Sequence, residues 1–155
     1  MSLMKNMIPA HRVFALLAVL AVSACGDSPF QVIEEVTFDP SLGIDLTQMT
    51  RLDSGVYIQD MVVGTGETVI DGTVASLSYV AYLADGTQFG QGTFNFVVGN
   101  GGVIAGFEEG VGGMNVGGER RIIIPPALGY ANEDQPTIPP GSVLIFDVVL
   151  DDLQT

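Results

Sequence analysis

The stretch VIAGFEEGVGGM, from Val103 to Met114, sets two adjacent carboxylates among glycines and apolar side chains. Two carboxylates do general acid–base work when they face one bond, about 5 to 9.5 Å apart in glycoside hydrolysis. Neighbours on a helix surface diverge instead. Glu108 and Glu109 therefore read as solvent-facing charges that complement the positive end of a helix dipole, worth about 0.3 to 1 kcal/mol each. The doublets Glu133-Asp134 and Asp151-Asp152 lack the spacing of a calcium loop and read as solvated surface. The other reactive side chains are scarce, with one histidine, His11, and one cysteine, Cys25.

Both of these belong to an N-terminal segment with its own logic. Lys5, His11 and Arg12 precede the apolar run VFALLAVLAVSA, which is too short to span a bilayer comfortably and has the layout of a bacterial secretory leader. The ending Val22-Ser23-Ala24-Cys25 resembles a lipobox, in which the cysteine is acylated and becomes the new N-terminus. Acyl chains on Cys25 would anchor the protein to a membrane without spanning it. Gly26 follows the cysteine, and similarity to enterobacterial lipoproteins implies outer-membrane sorting in a bacterial cell envelope, facing the periplasm. Removal of residues 1–24 leaves three arginines against 18 acidic residues, more negative still than the −13 of the whole chain. Such a surface repels nucleic acid. With no histidine and its cysteine acylated, the mature chain builds no Ser-His-Asp triad, thiolate nucleophile or Cys/His zinc site. No metal and no cofactor are expected.

The elements that would position any site follow from periodicity. Twenty glycines and 8 prolines, with β-branched residues throughout, indicate a turn-rich sheet protein with little helix. Residues 25–50 lack a sustained period and read as the lipidated N-terminus and a tether or short arm; residues 51–155 form the domain. Strands are expected over Val56–Val62, over Thr73–Leu83 with Ala75, Leu77, Tyr79, Ala81 and Leu83 on one face, and over Glu119–Ile124, stopped by Pro125-Pro126. Asp85-Gly86 makes a turn with positive φ and Phe89 begins the return; Phe94 to Val98 alternates. The last strand sets Leu144, Phe146, Val148 and Leu150 opposite Val143, Ile145, Asp147 and Val149. In the opening stretch the period changes. Ile104, Phe107, Val111 and Met114 are spaced three, four and three, one stripe of a short helix that leaves both glutamates off it.

The pieces YVAYLADGTQF, FNFVVGNGGVIAGFEEGVGGMNVGGERRIIIPPALGY and IPPGSVLIFDVVL together resemble the FKBP family of peptidyl-prolyl isomerases from about Ser54 to Leu153. The resemblance implies an α+β fold, a strongly bent antiparallel β-sheet wrapped around one short helix. It implies an enzyme that turns X-Pro bonds in an apolar cup, or a binding module of the same fold. Proline-containing polypeptides are the implied substrates, macrolides are implied ligands of the same cup, and a monomer is expected. Carried over by position, the catalytic set is Tyr79, Phe89, Ile104, Phe107, Tyr130 and Phe146. Phe107 takes the cup's floor, and the Ile104 amide and Tyr130 hydroxyl take the places of donors to substrate carbonyls. Phe94, Val103, Ile138 and Gly90 complete the substrate-binding set. Gly90 stands where the family usually has an aspartate, and Gln91 to Thr93 is expected as a shortened loop without its basic partner. The acidic segment between Tyr130 and Ile138 is expected to shape entry.

Overall fold

The structure, a computed structural model, describes residues 32–133 and 135–154. The leader, Cys25, residues 26–31 and Asp134 lie outside the described residues. Among those described, no helix is long and apolar enough to cross a membrane.

The β-branched and aromatic runs form six strands: β1 (Thr50–Arg51), β2 (Tyr57–Val62), β3 (Val74–Leu83), β4 (Gln88–Val97), β5 (Glu119–Ile124) and β6 (Leu144–Gln154). All pair antiparallel in one sheet, in the order β1-β2-β5-β6-β3-β4. The one α-helix among the described residues, α1 (Ala105–Val111), lies against β5. Its close approach depends on two glycines, because a Cβ on Gly106 would overlap Ile124 Cγ2 and one on Gly110 would overlap Ile122 Cγ2. The expected stripe faces inward, with Phe107, Val111 and Met114 buried and Ile104 packed against the same core.

Arg120 fastens the far end of the helix. It is only 7% exposed, donates through Nη1 to the carbonyls of Gly110 and Gly112 at 3.0 Å each, and grips Asp60 with Nε and Nη2 at 2.7 and 3.1 Å. A cation on the last helical carbonyls satisfies acceptors that the helix cannot and complements its dipole.

β6 separates two cores. Leu144, Phe146, Val148 and Leu150 face α1, whereas Val143 and Ile145 face the opposite side, so the alternation in the sequence reports two covered faces. The second face is covered by part of the segment expected as a tether or short arm, which packs as an arm. Residues 32–50 lie along the sheet as three 3-10 turns, Ile33–Glu35, Pro40–Leu42 and Leu46–Gln48. Ile33 and Leu42 are buried there with Tyr57, Ile123, Val143 and Ile145. Short turns have no period for a sequence reading to find, although each supplies one or two apolar anchors. Arg121 locks this arm down by donating to Asp147 at 2.6 and 2.7 Å and to the Leu42 carbonyl. At the other end, Glu34 accepts from Tyr57 Oη at 2.7 Å and from Arg51 Nε at 3.1 Å.

Candidate functional site: an aromatic cup between sheet and helix

On the helix side, β3, β4, β6, α1 and the segment after Tyr130 enclose a cavity of about 450 Å³. Such a volume suits a drug-sized ligand or a short peptide segment. Its floor is Phe107, 2% exposed, which the glycine-mediated packing of α1 on β5 places below the sheet's open edge. Phe146 from β6 meets Phe107 edge to face at 5.1 Å between ring centres, and Phe94 from β4 lies 5.6 Å from it. Tyr79 from β3 stands 5.5 Å from Phe94 and 6.0 Å from Phe146. Edge-to-face and tilted pairs at these separations are favourable beyond area burial alone, and they fix the rings against one another.

Phe89 enters by a different device. Ala81 pairs with Gly90 and Tyr82 with Gln88, so Phe89 is an extra residue in β4. A bulge of this kind bends the strand and re-aims a side chain. The Phe89 ring stands 5.8 Å from Phe146 and lines the cavity. Beyond the bulge, β4 runs on without a break through Gln91, Gly92 and Thr93, each paired with β3. The expected shortened loop at 91–93 is therefore strand; the glycines at 90 and 92 interrupt the alternation that would have revealed it.

Val103 and Ile104 form the wall beside the helix entry. Ile104 keeps extended backbone at φ −60° and ψ 140°, and its carbonyl accepts the first helical bonds from Phe107 and Glu108. Among the described residues its own N–H donates to no acceptor. Tyr130 and Ile138 close the opposite wall. Ala131, directly after Tyr130, sits at φ 51°, a conformation that costs a non-glycine residue about 1 to 2 kcal/mol. Its N–H and carbonyl are tied to Pro126 O at 2.9 Å and Gly141 N at 2.7 Å.

The cavity thus brings together all ten cup residues expected from the sequence. Three more line it: Gly102, Gln135 and Thr137. Gln135 and Thr137 belong to the segment expected to shape entry, but no spacing singled them out. Gln135 pairs with Ile138 across an isolated bridge that turns this segment onto the cup. No lining residue carries a charge.

Glu109 is exposed, as expected, but Glu108 is not simply solvent-facing. Its Oε1 accepts from the backbone N–H of Gly99 at 2.7 Å and of Gly101 at 3.4 Å, holding the turn that leads into Gly102 and Val103. A carboxylate that reaches back nine residues to a glycine turn leaves no trace in periodicity. Among the described residues no cluster of histidine, cysteine or acidic side chains is placed to hold a metal.

An antiparallel sheet, a short helix packed on it and an uncharged aromatic cup between them together define the class of protein. Residues 65–151 match the family described as FKBP-type peptidyl-prolyl cis-trans isomerase, and the chain belongs to that family. FK506-binding protein 4 of Mycosarcoma maydis is 41% identical over 124 residues, covering 77% of this chain and 32% of that protein. FK506-binding protein 3 of Yarrowia lipolytica is 46% identical over 102 residues, covering 63% and 25%. The chain thus spans about a quarter to a third of the length of these relatives. Among solved structures, FkpA from Escherichia coli superposes with a TM-score of 0.65 at 30% identity, covering 74% of this chain and 55% of that one. AtFKBP13 superposes with a TM-score of 0.64, also at 30% identity, covering 68% and 98%. The antiparallel sheet and single short helix are those of this fold.

Proposed function

We propose that the protein is a peptidyl-prolyl cis-trans isomerase that assists protein folding in the bacterial cell envelope, held as a monomer on the membrane by acyl chains on Cys25. The observation that carries the enzymatic reading is the uncharged cup floored by Phe107, bounded at one wall by the Ile104 N–H and at the other by Tyr130. The X-Pro bond resists rotation by about 18 to 20 kcal/mol because resonance keeps the amide planar. Removing that resonance needs no proton relay. The proline ring enters the cup formed by Phe107, Phe146, Tyr79 and Phe94, with Phe89, Val103 and Ile138 at its sides. The Ile104 amide and the Tyr130 hydroxyl donate to carbonyls of the substrate. Stabilisation that favours the twisted amide over both planar forms lowers the barrier, and each 1.36 kcal/mol gained in the twisted state alone is about tenfold in rate. Macrolides are proposed as competing ligands of the same cup, in keeping with its volume and aromatic lining.

One observation favours a second reading. Gly90 offers no side chain at its own position on the cup's edge, which suits a module that holds proline-containing segments without turning them over. Refolding of a test protein limited by prolyl isomerisation separates the two. Acceleration by substoichiometric amounts of the protein is the expected result; binding of proline peptides without acceleration would establish the module instead.

A further inference from the structure

The cup is uncharged, but Glu108 and Glu133 belong to segments that line it. On one side of its mouth, Gly102 continues a turn in which Glu108 accepts from Gly99 and Gly101, and a Cβ on Gly99 would stand 3.2 Å from Asp71 Cγ. On the other, the exposed Glu133 sits in the turn closed by its N–H on the Tyr130 carbonyl, between cup residues Tyr130 and Gln135.

The three arginines among the described residues are elsewhere and already engaged. Arg120 is at the far end of α1 on Asp60, Arg121 is on the arm side of the sheet with Asp147, and Arg51 is paired with Glu34. None lines the cup. Carboxylates flanking a low-dielectric cleft, with no competing cation, focus a negative potential on its mouth and raise the local concentration of cationic ligands.

We infer that the protein selects proline-containing segments with lysine or arginine beside the proline, and disfavours those flanked by acidic residues. This rests on the isomerase reading of the cup but concerns a different property of it. The proline fills the cup, while the flanking residues extend over the rim, beside Glu108 and Glu133. Because the rim is wet, the preference is strong at low ionic strength and fades once the Debye length falls to a few ångströms.

Three short peptides with the same X-Pro core, carrying lysine, alanine or glutamate two residues before the proline, provide the test. The ratio of kcat/KM for the lysine peptide to that for the glutamate peptide should be about fivefold at 10 mM salt and below about twofold at 1 M, the range over which screening acts. Glu133→Lys, on an exposed turn, should cut the low-salt ratio by about half. Equal or reversed rates for the two charged peptides at low salt, or a ratio unchanged in Glu133→Lys, would overturn the inference. If no peptide is isomerised, the alanine peptide included, it is the enzymatic reading that fails. The charge preference is then read from dissociation constants of the same peptides, and equal affinities would overturn it.

Discussion

Gly90 lies in extended β4 opposite Ala81, where a Cβ would sit 3.6 Å from the Tyr79 hydroxyl, 3.6 Å from its ring and 3.9 Å from Ala81 Cβ. These are ordinary contacts, so a side chain is sterically admissible, and an aspartate would bring its carboxylate within reach of the Tyr79 Oη at the cup's edge. Gly90→Asp is therefore expected to fold and to raise kcat/KM on uncharged prolyl peptides about tenfold, equivalent to about 1.4 kcal/mol of added transition-state stabilisation. Steady-state rates of the two proteins at matched concentration check this; no gain in a folded variant would show that the missing carboxylate does not limit the rate. The neighbouring glutamates of α1 should part company. Glu109→Gln changes an exposed side chain, and its effect on stability should stay within about 0.5 kcal/mol. Glu108→Ala leaves the Gly99 N–H without its charged acceptor and should lose about 1 kcal/mol, together with order in the turn beside Val103. Urea unfolding and amide exchange at residues 99–103 measure both, and equal effects would mean that the Glu108 bonds contribute nothing. That difference was not legible in the sequence, where the two glutamates are alike. The stripe Ile104, Phe107, Val111 and Met114 was, because burial of one helical face imposes a period that a side-chain bond to a distant turn does not.

At the scale of elements, the arm over residues 32–50 is the part whose stability depends most visibly on pH. Glu34 is held below the ordinary glutamate value of 4.5, first by the hydrogen bond from Tyr57 and then by its own backbone amide, with Arg51 adding to both against the opposing effect of burial. Asp39 and Asp45 are lowered as well, by Ser41 and Thr47. A carboxyl lowered in the folded state binds its proton more weakly there than in the unfolded chain. Its stabilisation is present above the unfolded value and is lost as pH falls through the folded one. The arm should thus begin to loosen as pH drops below about 4.5. Hydrogen exchange at residues 33–50 across pH 3 to 6 would reveal this, and Glu34→Gln should weaken the step; exchange independent of pH over that range would refute it. The arm illustrates why part of the fold stayed hidden. β6 announces both its faces by strict alternation. Ile33, Val36, Phe38, Leu42, Ile44, Leu46 and Met49 reach the same second core from isolated turns, and their spacing follows no repeat. β4 was half hidden for the opposite reason: from Gly90 to Val97 its pairing is regular, but Gly90 and Gly92 carry no side chains to display it.

For the molecule as a whole, the cup and the arm lie on opposite faces of one sheet, and this bears on how the protein would sit at a membrane. Residues 32–50 lie flat on the sheet instead of extending as a spacer. Only residues 26–31 then separate Cys25 from the packed arm, and a chain reaches at most about 3.6 Å per residue. An acylated Cys25 would therefore keep the domain within about 20 to 25 Å of the lipid surface. The arm's face would be nearest that attachment, and the cup would open from the other side of the sheet, toward arriving polypeptide. Two measurements decide whether the anchor exists. The wild-type chain expressed with its leader should sediment with membranes and carry a lipid on an N-terminal Cys25. Cys25→Ser should instead accumulate as the uncleaved or mislocalised precursor, with its folded domain unchanged because Cys25 precedes every residue of the two cores. Mass spectrometry that finds a mature N-terminus beyond Cys25, without lipid, would remove the anchor and with it the constraint on orientation. The cup would be unaffected, since every residue lining it lies beyond residue 78 and belongs to the sheet, the helix and the segments between them.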